Sequence, residues 1–184
     1  MRNKIKEKLL VYRVQVKRDA QAFAEIYDYY IEKIHRFIFF KVASEQEAED
    51  LSSEVFLKAW NYLSSDKGVK SMGALLYTIA RNSVIDHWRG KKIELDLEQA
   101  FLKDELLEPA AISELEQDAD MTRVYKALAK LKDEYREVIV MRYLDQMDVG
   151  EISNILQKNK NNIRVLLHRS LTALRQTLEE QENK

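Results

Sequence analysis

Apolar residues recur every three or four positions along most of the chain, which is the spacing of one face of an α-helix. The clearest run predicts one long helix and consists of Phe23, Ile26, Tyr27, Tyr30, Ile31, Ile34, Phe37 and Ile38. Residues 1–18 are ambiguous, because Ile5 and Leu9 suit a helix whereas the apolar residues after them alternate as in a strand. Those alternating residues are Leu10, Tyr12, Val14 and Val16.

Two further helices are predicted before residue 93. Ser44 followed by Glu47 matches a capping box and opens the first of them, which should end near Ser64. The second should begin near Ser71 and stop at Gly90, since glycine commonly ends helices. Its apolar ladder, in which Trp88 is expected to be core, is Leu76, Ala80, Val84 and Trp88.

The C-terminal part predicts a helix pair followed by a helix-turn-helix unit. The pair breaks around Lys132 and Asp133, and its apolar positions are Val124, Leu128, Leu131, Tyr135, Val138 and Ile139. Asp148 and Glu151 are placed to cap a short helix, and residues 158–160 form a tight turn. A longer helix follows, capped by Asn161 or Asn162, with the ladder Ile163, Leu167, Leu171, Leu174 and Leu178.

Composition supports an all-α fold. The 184 residues include only 4 Gly and 1 Pro, fewer chain breakers than an all-β or α/β chain normally carries. Cysteine is absent, which excludes disulfides and thiolate metal sites. No apolar run approaches the ~20 residues of a membrane span, and the run at residues 9–12 is too short for a signal peptide. We therefore expect a cytoplasmic protein with no membrane insertion.

Charge divides the chain into three parts. Residues 1–92 carry a net charge of +5, residues 93–120 carry −9, and residues 121–184 carry +3. The middle part holds the single proline, Pro109, and its carboxylates would repel one another in a compact fold. We predict two small helical domains, at 1–92 and 121–184, joined by an acidic flexible linker at 93–120. Within that linker, Ser113 and Glu116 suit the cap of a short helix.

Two basic surfaces suggest nucleic-acid binding. No acidic residue occurs at 152–178, where Lys, Arg, His and Asn suit phosphates and base edges in the major groove. Charge alone would fit a basic helix face that is merely exposed to solvent equally well. The helix-turn-helix pattern favours a DNA-binding surface. Residues 81–92 combine cations with aromatic residues, which suits unpaired bases. Lys91 and Lys92 also have a simpler reading, as cations that stabilise a helix C-terminus.

The second predicted helix is acidic, which suits a protein partner better than DNA. Glu45, Glu47 and Glu49 have a structural explanation, because carboxylates stabilise a helix N-terminus. Asp50 and Glu54 are therefore the better contact candidates. Catalysis is not expected, because His35, His87 and His168 show no metal-ligand spacing and no glycine-rich phosphate loop exists. The sequence predicts no enzyme activity, no cofactor, no metal and no small-molecule substrate.

In order along the chain, these segments resemble the extracytoplasmic-function sigma factors of the sigma-70 family. The similar stretches include AEDLSSEVFLKAW at 48–60, LYTIARN at 76–82 and IRVLLHRS at 163–170. The sequence departs from the family at Ser53, usually Gln, at Met72 and Leu75, usually aromatic, and at Ser153, usually Ala. The resemblance implies that the helix at 50–60 docks on the largest subunit of core RNA polymerase. The implied contacts are Asp50, Ser53, Glu54, Phe56 and Trp60.

The resemblance also implies two promoter contacts. A loop and the helix after it would bind the minus-ten element through Asn61, Tyr62, Ser65, Lys67, Lys70, Arg81, Asn82, Asp86, Arg89, Lys91 and Lys92. The helix-turn-helix would read the minus-thirty-five element through Lys158, Lys160, Asn161, Asn162, Arg164, Val165, His168 and Arg169.

The implied partners are core RNA polymerase, promoter DNA and an anti-sigma factor, and the implied regulon is one for stress or the cell envelope. The alternative is a helix-turn-helix regulator that never associates with polymerase. Such a regulator leaves the acidic docking helix and the second basic domain unexplained. A helical adaptor that binds only proteins would not explain the acid-free stretch at 152–178.

Overall fold

The structure is a computed structural model that describes residues 2–65, 68–69, 71–96 and 119–182. The described part is helical and contains no strand, which confirms the all-α prediction. Its helices are α1 (Arg2–Lys17), α2 (Ala20–Val42), α3 (Glu45–Leu63), α4 (Met72–Asp96), α5 (Ala119–Ala129), α6 (Asp133–Ile139), a π-helix (Val140–Leu144), α7 (Val149–Leu156) and α8 (Lys160–Glu182).

Helix α2 is the central element of the N-terminal group and packs against α1, α3 and α4. The Asp19 side chain caps its first turn, and Ala43 ends it in the left-handed conformation, with φ of 60°. Ile34, Phe37 and Ile38 are completely or almost completely buried. Each such side chain stabilises the fold by about 1.5–3 kcal/mol relative to an exposed position. The predicted long helix is thus confirmed, and it lies at the centre of the N-terminal group.

The ambiguity at residues 1–18 is settled in favour of a helix. In α1, Leu10, Val11 and Val14 are buried against the core, whereas Tyr12 and Val16 face outwards. The alternation in the sequence therefore came from a helix with apolar residues on two sides.

Two predictions about α4 were wrong. The helix continues through Gly90 to Asp96, because glycine inside a helix costs only about 1 kcal/mol and Lys91 bonds to Glu47 on α3. Trp88 is 37% exposed rather than core. Its indole Nε1 donates to the backbone oxygen of Lys41 at 3.3 Å, so the ring covers the end of α2.

The C-terminal group contains α5 to α8, with the predicted break between α5 and α6 at Lys132. Helix α6 passes directly into the π-helix, and the Asp145 amide donates to the Val140 oxygen at 3.0 Å. The two groups pack together through α4 with α7 and α2 with α6. The linker prediction, with Pro109 and the helix at Ser113, falls largely at 97–118 and lies outside the described residues. Among the described residues, no helix is long and apolar enough to cross a bilayer.

Candidate nucleic-acid and protein interfaces

The short helix of the helix-turn-helix unit begins with the predicted capping box. Asp148 Oδ1 accepts from the amides of Gly150 at 2.8 Å and Glu151 at 2.9 Å. Glu151 Oε2 accepts in return from the Asp148 amide at 2.9 Å. These bonds satisfy amides that the first turn leaves without a helical partner, and they fix where α7 starts.

The turn between α7 and α8 is held by contacts that the sequence analysis did not predict. Gln157 adopts the left-handed conformation, with φ of 53°. Ser153 Oγ donates to the Lys158 backbone oxygen at 2.6 Å. The prediction that Asn161 or Asn162 caps α8 was wrong, because Asn159 Oδ1 accepts from the Asn162 amide at 2.8 Å. The cap lies two or three residues earlier, so Asn161 and Asn162 are side chains of the first turn.

Helix α8 has one buried face and one exposed face. Ile163, Leu167 and Ser170 are buried against the rest of the C-terminal group. Arg164 Nη1 donates to Asn161 Oδ1 at 2.9 Å, which holds the guanidinium near the N-terminus of the helix. Leu171 departs from the predicted ladder and is 37% exposed. All eight predicted minus-thirty-five residues are exposed, namely Lys158, Lys160, Asn161, Asn162, Arg164, Val165, His168 and Arg169.

The predicted minus-ten residues of α4 have protein partners in this structure. Arg81 Nε lies 3.4 Å from Glu137 Oε1 of α6, on the C-terminal group. Asp86 and Arg89 form an ion pair with each other at 3.3 Å. Asn82 is exposed.

The Lys91 Nζ donates to Glu47 Oε1 at 2.5 Å. Burial alone would raise the pKa of Glu47, but the contacts with Lys91 and His87 lower it below its ordinary value. Lys91 therefore stabilises the α3–α4 packing in this conformation. The side chains of Lys67, Lys70 and Lys92 lie outside the described residues.

Three predicted minus-ten residues lie around the end of α3: Asn61 and Tyr62 belong to its last turn rather than to the predicted loop, and Ser65 follows the helix. Asn61 is exposed and Tyr62 is half-buried at the end of the helix. Ser65 Oγ donates to the Tyr62 backbone oxygen at 2.7 Å, closing the first turn of the loop.

Helix α3 exposes part of the predicted polymerase surface. Asp50, Ser53 and Glu54 are exposed, and Glu54 pairs with Lys58 at 2.7 Å. The prediction for Phe56 needs correction: the ring is only 3% exposed, so it offers no surface to a partner in this conformation. Phe56 instead packs edge-on against Phe23. Trp60 is half-buried.

A buried carboxylate between the two groups of helices was missed by the sequence analysis. The Asp145 side chain is 0% exposed, and its Oδ1 lies 2.5 Å from Arg36 Nη2. A second buried carboxylate, Glu137, lies 3.4 Å from Lys41 Nζ and from Arg81 Nε. The only sequence signal was an acidic residue directly after an apolar run, which does not identify its partners. Among the described residues, no cluster of three or more His, Asp or Glu could hold a metal ion.

The fold and the two exposed surfaces define a helical protein with a helix-turn-helix beside a second basic domain. Two family models match it: Sigma-70 region 2 at residues 26–93 and Sigma-70 region 4 at residues 121–174. The chain is 33% identical to the ECF RNA polymerase sigma factor SigW of Bacillus subtilis, over 89% of this chain and 93% of SigW. It therefore belongs to the extracytoplasmic-function sigma factors, which direct transcription initiation.

Other relatives agree with this assignment. The chain is 29% identical to the ECF RNA polymerase sigma factor BldN of Streptomyces coelicolor over 92% of its own length, and it spans 64% of BldN. A solved structure of the Bartonella quintana sigma factor RpoE in complex with the anti-sigma factor NepR has a TM-score of 0.71. It covers 85% of this chain and 96% of RpoE at 21% identity, a likeness of fold alone. CnrH in complex with the cytosolic domain of CnrY is likewise similar in fold, with a TM-score of 0.72, 20% identity, and coverage of 95% of this chain and 98% of CnrH.

Proposed function

We propose that α3 binds core RNA polymerase through the exposed carboxylates Asp50 and Glu54, with Ser53 between them. The observation that supports this is their common exposure on α3, on a helix whose opposite side is fixed by buried Leu51, Val55 and Phe56. A helix anchored in this way presents its acidic groups in a constant orientation. Trp60 forms the edge of the same surface.

The helix-turn-helix reads the minus-thirty-five element through the exposed face of α8. Its capped start and the bond between Arg164 and Asn161 support this role, because base readout needs side chains held near the helix N-terminus. Lys158, Lys160 and Arg169 are placed for phosphates, and Asn162, Val165 and His168 complete the surface.

The minus-ten element is bound by the exposed face of α4 and by the loop after α3. Asn82, Asp86 and Arg89 are accessible on α4, and Asn61 is accessible beside the loop. Arg81, whose side chain is 41% exposed, becomes available for DNA when its contact with Glu137 opens. We keep the division at 1–92, 93–120 and 121–184 as a proposal for the domains, with α4 extending to Asp96 and α5 beginning at Ala119.

The chain acts in the cytoplasm, where polymerase and the chromosome are, and serves a stress or envelope regulon. An anti-sigma factor restrains it, a proposal motivated by the similarity in fold to sigma factors solved with anti-sigma partners.

The docking proposal is tested by co-purification with core polymerase. Asp50→Arg should abolish the association while leaving the circular dichroism spectrum and melting temperature unchanged, because Asp50 is exposed. Asp28→Arg makes the same change at an exposed position on α2 and serves as the matched control. Normal co-purification of the Asp50 variant would refute this surface.

A further inference from the structure

Helix α1 carries a row of exposed apolar side chains on the side that faces away from the core. The row, here named the α1 stripe, consists of Ile5, Leu9, Tyr12 and Val16, which are 72%, 57%, 56% and 61% exposed. The opposite side of the helix is buried through Leu10, Val11 and Val14. Packing against the core therefore does not explain why these four residues are apolar. Four large exposed apolar groups in one row suggest an interaction surface.

The spacing within the α1 stripe indicates what kind of surface it fits. Its members are separated by four, three and four residues, the a and d positions of a heptad repeat. At 100° per residue the row covers roughly 60° of the helix circumference. Such a narrow seam is typical of pairing with a second helix, whereas a helix that lies in a membrane interface presents a broad apolar face.

Cations line both sides of the α1 stripe. In the same heptad register, Lys6 and Arg13 occupy e positions and Lys8 occupies a g position. Lys6 forms an ion pair with Glu25 on α2 at 2.9 Å and Arg13 forms one with Asp19 at 2.8 Å, whereas Lys8 is exposed. Glu7, the single acidic residue of α1, points to the core side, where it accepts a hydrogen bond from the Tyr30 hydroxyl. The seam is thus edged by positive charge.

We propose that the α1 stripe binds an amphipathic helix of a partner protein, with apolar residues at a and d and with Glu or Asp at e and g. Charges at e and g select coiled-coil partners, so the cations Lys6, Lys8 and Arg13 favour an acidic helix. They disfavour a second copy of this chain, because the same cations would face each other across the seam. The inference does not depend on the polymerase or promoter contacts proposed above.

The proposal is tested with the full chain and a fluorescein-labelled synthetic helix of three heptads, carrying Leu at a and d and Glu at e and g. Fluorescence anisotropy should show saturable binding, with a Kd on the order of 10–100 µM because only about two heptads of α1 take part. A peptide with Lys in place of Glu should bind at least about tenfold more weakly.

Variants of the chain locate the binding surface. Leu9→Glu should weaken binding of the Glu peptide by at least about tenfold. Lys8→Glu should weaken it several-fold and improve binding of the Lys peptide. Leu57→Glu is the matched control, because Leu57 is 61% exposed on α3 and its substitution should leave binding unchanged. All three positions are exposed, so unchanged thermal melts confirm that each variant folds.

Several results would overturn the proposal. They are the absence of saturable binding, equal affinities for the Lys and Glu peptides, and an affinity for the Glu peptide that Leu9→Glu does not change. The protein could instead sediment with phosphatidylglycerol vesicles and fail to bind the peptide. If Leu9→Glu abolished that sedimentation, the α1 stripe would be assigned to a membrane surface. A dimer in sedimentation velocity that Leu9→Glu converts to a monomer would assign it to a second copy.

Discussion

The Tyr77 hydroxyl on α4 donates a 2.5 Å hydrogen bond to Asp145 Oδ2, directly after the π-helix of the C-terminal group. The other oxygen of the same carboxylate accepts from Arg36 on α2. Burial raises the pKa of Tyr77, and the Asp145 carboxylate raises it further, so the phenol stays protonated as a donor. One buried carboxylate thus connects two helices of the region 2 domain to the region 4 domain.

Asp145→Ala should destabilise the protein by about 3–5 kcal/mol, because it leaves the Arg36 charge partly buried without its partner. Urea denaturation measures the change. Asp28→Ala, at an exposed position of α2, should change stability by less than about 0.5 kcal/mol. A loss below about 1 kcal/mol for the Asp145 variant would show that this contact does not hold the domains together.

Glu47→Gln should make the free energy of unfolding less dependent on pH in the acidic range. The folded pKa of Glu47 is lowered, so its ion pairs contribute above the ordinary carboxylate pKa of 4.5 and are lost as pH falls through the folded value. At pH 7 the variant should be less stable by about 0.5–1 kcal/mol, since the pairs are partly exposed. Urea titrations at several pH values should show this difference shrinking steadily below pH 4.5. A constant difference would contradict the role of Glu47, and Glu49→Gln is the exposed control on the same helix.

Asn159→Ala should cost about 1 kcal/mol of stability, because it removes the side-chain cap of α8. Asn162→Ala should cost less than about 0.5 kcal/mol, since its side chain is exposed in the first turn. Thermal melts of the two variants distinguish the positions. Equal losses of stability in the two variants would contradict the assignment of Asn159 as the cap and favour the position predicted from the sequence.

Arg164→Ala should relax promoter selection at one position of the minus-thirty-five element. A base-directed arginine contributes roughly 1–3 kcal/mol of discrimination, so binding to a promoter library should lose preference there. Arg175→Ala, on the same helix but about 16 Å further along, should leave the preference unchanged. If the variant selected the same promoter sequences as the unmodified protein, Arg164 would not be a base contact.

The sequence predicts local structure here better than long-range contacts. The capping box at Asp148 and the core helix around Ile34 follow from short-range rules, and the structure confirms both. Gly90 was misassigned because the contact between Lys91 and Glu47 on α3 stabilises the helix beyond the glycine. Trp88 was misassigned because its indole packs against the end of α2 and not in the core. Asp145 could not be paired from sequence, since its partners lie 68 and 109 residues away.

This chain directs core RNA polymerase to promoters. In vitro transcription with purified core polymerase and mixed genomic DNA, with and without the protein, tests it most directly when the RNA starts are mapped. New starts preceded by a shared two-part motif are expected, and Asp50→Arg should abolish them. DNA binding by the protein without any new start would contradict it.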